Sequence, residues 1–214
     1  MTVTYNVRRV TEAPESWIQQ ATDALDAAFH HRFFSGSLAN DKELIFACLR
    51  AHVTGGLLEG EVYAAETADG QPVGVSVWFG PGHKFLDSER QRKAGWDQMI
   101  EKLPPNLQSW WDQVFLHDYE NYAERFYGPG AKRAGYHLQL IGVHPDHQRR
   151  GLGSQLMSIV HNEAHAAGLK CFLEAANPTT RGIYKSMGYN LAGTATLKSS
   201  GDATFEMYYM AKEP

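Results

Sequence analysis

The chain is 214 residues long, with 43% hydrophobic and 21% charged residues, the balance of a soluble globular protein rather than a disordered one. Twenty Lys and Arg stand against 24 Asp and Glu, for a net charge of −4, which excludes a protein that coats nucleic acid by charge alone. Two cysteines are too few for a disulfide scaffold.

No stretch approaches the ~20 apolar residues that span a bilayer, and Met1 to Val10 lacks the apolar core of a secretion signal. Cys48 and Cys171 stand far apart and in no metal-like spacing. These features predict a soluble, cytoplasmic protein that holds no metal and binds neither membrane nor nucleic acid.

In chain order, Val3 to Val10 reads as a strand. Amphipathic helices are predicted from Glu15 to about His31 and from Asp41 to Leu57, the second stopping at Gly55 and Gly56. Glu61 to Thr67 and Pro72 to Phe79 are β-rich runs joined by the turn Ala68-Asp69-Gly70-Gln71, hence a hairpin. From His83 to Gly135 the character changes: two helices, about 85–103 and 107–126, flank Pro104-Pro105, and the whole segment carries nine aromatic residues. About 50 residues make a marginal core of their own, so this segment is expected to pack on the main body as an insertion of a single domain spanning 1–214. Tyr136 to Val143 then reads as a strand, Gln148 to Ala167 as a helix and Lys170 to Ala175 as a strand. Pro178 to Met187 is a helix, followed by strands at about 189–197 and 204–211. This alternation predicts an α/β sheet with some parallel pairing in its second half.

The segment Leu140-Ile141-Gly142-Val143-His144-Pro145-Asp146-His147-Gln148-Arg149-Arg150-Gly151-Leu152-Gly153 carries the most chemistry. A strand runs into a turn that opens a helix. The first amides of a helix lack intrahelical partners and carry the positive end of its dipole. Glycines there let a bulky anion approach, and Arg149 and Arg150 add positive charge, so a pyrophosphate site is expected. No G-x-x-x-x-G-K-[ST] or strand-linked G-x-G-x-x-G is present, which excludes the usual nucleotide loops. Asn177-Pro178 is a helix start, since Asn caps and Pro suits the first turn. Tyr184 follows on the same face two turns later.

Gln148-Arg149-Arg150-Gly151-Leu152-Gly153 resembles the Q/R-x-x-G-x-G/A signature of the GCN5-related N-acetyltransferases (GNATs), and the likeness runs from about Tyr136 to Tyr189. The resemblance implies a mixed, mostly antiparallel sheet with a splayed central strand pair, flanking helices and acetyl-CoA as cosubstrate. The segment 83–135 has no counterpart in that core. By the resemblance, the amides of Arg149, Arg150, Gly151, Leu152, Gly153 and Ser154 hold the pyrophosphate, with Gln148 opening the motif. The backbone of Ile141 and Val143 pairs with the pantetheine arm, and Asn177 contacts the cofactor. Tyr184 is implied as the acid that protonates the departing thiolate, a task a phenol can perform. For the base, His137 and Glu174 are the candidates, with structural hydrogen bonding as the alternative role for both; His137 and Gln139 are expected to share a strand face. His161 and His165 are expected on a solvated helix flank. The implied activity is acetyl transfer to an amine, and a small-molecule amine is expected because the aromatic segment would crowd a peptide groove. The rival reading is a non-catalytic acyl-CoA-binding sensor.

Overall fold

The computed structural model describes residues 4–214. One seven-stranded sheet has the order β1-β2-β3-β4-β5-β7-β6. Its strands are β1 (Tyr5–Val10), β2 (Glu61–Thr67), β3 (Pro72–Phe79), β4 (Tyr136–Val143), β5 (Cys171–Ala175), β6 (Asn190–Lys198) and β7 (Thr204–Lys212). Every neighbouring pair is antiparallel except β4–β5. Val3, expected to open β1, lies outside the described residues. The fold is the mixed, mostly antiparallel α/β architecture expected.

β3 lies at the heart of the sheet, and all eight of its residues are buried. Helices α1 (Glu15–Ala28) and α2 (Lys42–Glu59) cover one face, packing on Val62, Val75, Val77 and Leu140. Asp41 caps α2 by accepting from the amides of Glu43 and Leu44 at 2.8 and 3.3 Å, satisfying two of the helix's orphan donors. α2 runs through Gly55 and Gly56 instead of stopping there. A Cβ on Gly56 would lie 2.6 Å from Val77 Cγ1, so the glycine lets the helix press onto the sheet. α1 ends sooner than expected, because His30 and His31 take left-handed backbone angles that no α-helix continues.

The aromatic segment lies on the same face. It contains α3 (Glu89–Gln91), a kinked π turn Arg92–Trp96, α4 (Asp97–Glu101), α5 (Pro105–Trp110), a second π turn Trp111–Leu116, α6 (His117–Tyr127) and α7 (Ala131–Ala134). Trp96, Trp110, Trp111 and Phe115 belong to the same buried cluster as Val75, Val77 and Leu25. The segment therefore has no core of its own. The stripe Trp111, Phe115, Tyr119, Ala123, Tyr127 recurs every four residues, which in a regular α-helix rotates by about 40° per step. The wider π turn takes up part of that drift and keeps the stripe against the sheet.

The opposite face is covered by α8 (Leu152–Ala166) and α9 (Pro178–Ser186), with Leu156, Met157 and Val160 packed against Tyr63, Trp78 and Leu138. His161 is not on a solvated flank. Its Nε2 lies 3.0 Å from the Tyr189 hydroxyl and its ring stands edge-on to Trp78, because α8 turns that position toward the sheet; His165 remains exposed. Cys48 and Cys171 are both buried and free. Among the described residues, no helix is long and apolar enough to cross a membrane.

Candidate active site

The parallel strands β4 and β5 pair only at Tyr136–Cys171, His137–Phe172 and Leu138–Leu173, then separate. The register of β4 against β3 slips between Val77 and Trp78, so that Leu140 pairs with Val77 and Leu138 with Trp78. Gln139 is therefore the extra residue of a β-bulge, at the point where β4 leaves β5. The slip breaks the alternation on which the expected His137/Gln139 face rested. His137 and Phe79 lie on the α1–α2 side, as do Leu140 and Val77 after the bulge.

Beyond the bulge, His144 donates its amide to the Val73 carbonyl at 2.8 Å, so His144, Gly142 and Leu140 are the residues bonded to β3. The antiparallel ladder turns the amides and carbonyls of Ile141 and Val143 the other way, into the gap left by β5. Gln148 Nε2 donates to the Val143 carbonyl from that side at 2.9 Å, which pins the loop after β4 to the strand end.

That loop leads directly into α8. Arg149 and Gly151 have positive φ, 62° and 79°, so the helix begins at Leu152 and not at Gln148 as expected. The first intrahelical bond runs from the Gln155 amide to the Gly151 carbonyl at 3.0 Å, leaving the Leu152, Gly153 and Ser154 amides without a helical acceptor. A Cβ built on Gly153 meets nothing within 4 Å, and Arg149, Arg150 and Ser154 are exposed. The result is an open, positively polarised cradle at the mouth of the β4–β5 gap, the shape and charge that a pyrophosphate requires. The second helix start flanking the gap is α9, where Asn177 Oδ1 accepts from the Thr180 amide at 2.9 Å. Asn177 thus spends its side-chain oxygen on the cap. Tyr184 lies two turns along α9, half-buried against Tyr189 with ring centroids 6.0 Å apart. Its hydroxyl makes no hydrogen bond to any described residue, and burial pushes its pKa up to about 12, so it keeps its proton at neutral pH.

On the α1–α2 side, at the apex of the gap, His137 Nε2 lies 2.7 Å from Glu174 Oε2. Both side chains are almost fully buried, 1% and 4% exposed. The sequence spacing does not reveal two further partners from α6. The Tyr119 hydroxyl donates to Glu174 Oε2, and the Tyr127 hydroxyl lies 3.0 Å from Oε1 and 2.7 Å from the Leu173 carbonyl. Lys132, itself buried, sits 4.4 Å from the centre of the Tyr119 ring and 3.6 Å from Glu120 Oε2. Burial would push the Glu174 carboxyl up, but the Lys132 charge and the hydrogen bonds of His137 and Tyr119 outweigh it and hold it well below its usual range. For His137 burial dominates, Lys132 adds to it, and the pKa falls below the ordinary 6.5 against the pull of Glu174. An ionised carboxylate thus faces a neutral imidazole, whose Nε2 carries the proton between them. The aromatic repeat Phe115-x-x-x-Tyr119 and Tyr127 eight residues later was the only sequence signal for these partners.

Residues 110–191 match the family model of the acetyltransferase (GNAT) domain. The chain carries a GNAT acetyltransferase domain. The match takes in the cradle, the gap and α9. It begins inside the aromatic segment, so α6 and α7 fall within it. Solved structures with the same fold extend over nearly the whole chain. Arylalkylamine N-acetyltransferase 2 from Aedes aegypti is 13% identical, covers 97% of this chain and 99% of its own, and superposes with a TM-score of 0.62. Polyamine N-acetyltransferase from Drosophila melanogaster is 13% identical with a TM-score of 0.55, covering 99% of this chain and 100% of its own. A structure described as histone acetyltransferase HPA2 and related acetyltransferase, from Corynebacterium glutamicum, is 19% identical with a TM-score of 0.56 and covers 100% and 97%. At these identities the likeness is one of fold, and the GNAT domain's own residues must carry any argument about its reaction.

Proposed function

We propose that the chain is an acetyl-CoA-dependent N-acetyltransferase that acts on the amine of a small molecule by direct attack in a ternary complex. The observation that carries this reading is the His137–Glu174 pair, 2.7 Å apart, at the apex of a strand gap whose mouth is an open anion cradle. The Leu152, Gly153 and Ser154 amides, with Arg149 and Arg150, would receive the pyrophosphate. The outward-facing backbone of Ile141 and Val143 would pair with the pantetheine amides as an added strand does. The bulge frees backbone at Gln139, where an amide can polarise the thioester carbonyl.

In this reading His137 is the base. Glu174 fixes the tautomer with Nε2 protonated, and Nδ1, which bonds to no described residue, takes the proton from the acceptor's ammonium. The amine nitrogen then bonds to the acetyl carbon, the carbon–sulfur bond breaks as the Tyr184 phenol gives its proton to the departing sulfur, and the nitrogen's remaining excess proton passes to the Tyr184 phenolate, leaving a neutral amide and a restored phenol. Two of the similar structures are named for small amines, arylalkylamines and polyamines, and a flat peptide groove is hard to reconcile with α6 lying over the pair. Free buried cysteines suit a reducing, cytoplasmic setting.

The test is thiol release from acetyl-CoA across a panel of arylalkylamines, polyamines and lysine peptides. Turnover on a small amine is expected. Acetyl-CoA stabilisation in a thermal shift assay without turnover on any acceptor would instead favour an acyl-CoA sensor, and turnover confined to peptides would overturn the small-molecule reading.

A further inference from the structure

We propose that Tyr119, carried across the sheet by α6, is a positioning residue that fixes the Glu174 carboxylate and thereby sets the basicity of His137. The inference rests on the reading of His137 as the base.

Proton accounting singles out Tyr119. A phenol has one proton to donate. Tyr127 has two acceptors in reach, the Leu173 carbonyl at 2.7 Å and Glu174 Oε1 at 3.0 Å, and it also accepts from the Met210 amide at 3.2 Å. It is tied first to the backbone of β5 and β7. Tyr119 has no such choice. Its hydroxyl reaches Glu174 Oε2 and, at 3.4 Å, His137 Nε2, and that nitrogen is already donating to the same carboxylate oxygen. The Tyr119 proton is therefore committed to Glu174. Burial and the Glu174 charge push the phenol's own pKa well up, so the proton stays on Tyr119.

Two donors thus share one carboxylate oxygen. Negative charge drawn toward Tyr119 is charge not available to stabilise a protonated His137, because both donors compete for the same oxygen. The ring is held in place from its other side by the Lys132 ammonium. The groups facing the His137–Glu174 pair are Tyr119, Glu120 and Tyr127 from α6, Lys132 from α7 and Tyr209 from β7. Among these, only Tyr119 donates to the oxygen that His137 uses.

The test is the pH profile of kcat/KM for the full chain and four variants. Activity should fall on the acid side as His137 gains its proton. Tyr119→Phe removes the competing donor, so the imidazolium is better stabilised and the acid limb should move up by about half to one pH unit, with the KM for acetyl-CoA unchanged. Glu174→Gln removes the charge and should move the same limb down. Tyr209→Phe loses only a 3.2 Å bond to the Tyr119 carbonyl and should leave the limb where it is. A fluorinated tyrosine placed at position 119 keeps the shape, donates more strongly, and should move the limb down, which keeps the test open if Tyr119→Phe folds poorly. An unmoved limb in both position-119 variants, with Glu174→Gln shifted, overturns the role of Tyr119 alone. An unmoved limb in Glu174→Gln overturns the His137 reading beneath it.

Discussion

His137 on β4 and Glu174 on β5 are 37 residues apart in the chain and 2.7 Å apart in space, on strands that separate immediately beyond them. The last paired residues are Leu138 and Leu173, so the buried pair closes the narrow end of the gap. The α8 cradle lies at the wide end, and Tyr184 flanks the gap from α9. This places a buried histidine, an open helix start and a phenol around one cleft, and the role proposed for each can be tested separately.

Tyr184 is expected to act after the amine has attacked. Tyr184→Phe keeps the ring contact with Tyr189 and loses only the proton. The kcat should fall by roughly 100-fold, the lower end of what a positioned acid contributes, while the acetyl-CoA dissociation constant stays the same. Steady-state kinetics paired with calorimetry would check this, and a change in binding with kcat intact would remove the acid role.

Gly153 separates binding from folding. Its φ is ordinary and a Cβ there meets no atom within 4 Å, so Gly153→Val should change stability by no more than about 0.5 kcal/mol. The added methyls would occupy the space that a pyrophosphate needs, and acetyl-CoA affinity should drop at least tenfold (about 1.4 kcal/mol). Unchanged affinity would move the anion site elsewhere.

His52 should make the fold sensitive to acid. It is buried among aromatic rings, with Nδ1 bonded to the Cys48 carbonyl at 2.8 Å, and burial lowers its pKa to about 4. The unfolded chain, near the ordinary 6.5, binds the proton more readily. The stabilisation is therefore complete above about pH 6.5 and is lost as the pH falls toward 4, by up to about 3 kcal/mol. Melting temperatures of wild type and His52→Gln between pH 7 and pH 4 should converge as the pH falls; parallel curves would contradict the assignment.

Two glycines should respond with opposite signs. A Cβ on Gly193 would lie 2.2 Å from Phe126 Cδ1, so Gly193→Val must push α6 off the sheet edge, at a cost of about 1–3 kcal/mol. Gly182, in α9, has open space around its missing Cβ, and Gly182→Ala should gain about 0.5–1 kcal/mol from helix propensity. Chemical denaturation distinguishes the two, and equal effects would refute the packing described for Phe126.

Local pattern made much of this protein legible. The strand and helix order, the hairpin at Gly70, the α9 start at Asn177-Pro178 and the glycine-rich loop before α8 all rest on interactions within a few residues. The errors arose where a neighbour overrode that pattern. Gly55 and Gly56 read as a helix stop but serve the contact of α2 with Val77. His161 read as solvated but faces Tyr189.

The sequence by itself determined the element order, the glycine-rich loop before α8 and the identity of the titratable candidates, because periodicity, capping and glycine placement are local physics. Only the tertiary structure decided how those candidates work together. A bulge at Gln139 changes which residues of β4 share a face. Two strands that pair for three residues and then part create the cleft. A helix from the aromatic segment brings Tyr119 and Tyr127 onto Glu174 from 55 and 47 residues away. Such contacts depend on how separate elements pack in three dimensions, and no spacing along the chain encodes them.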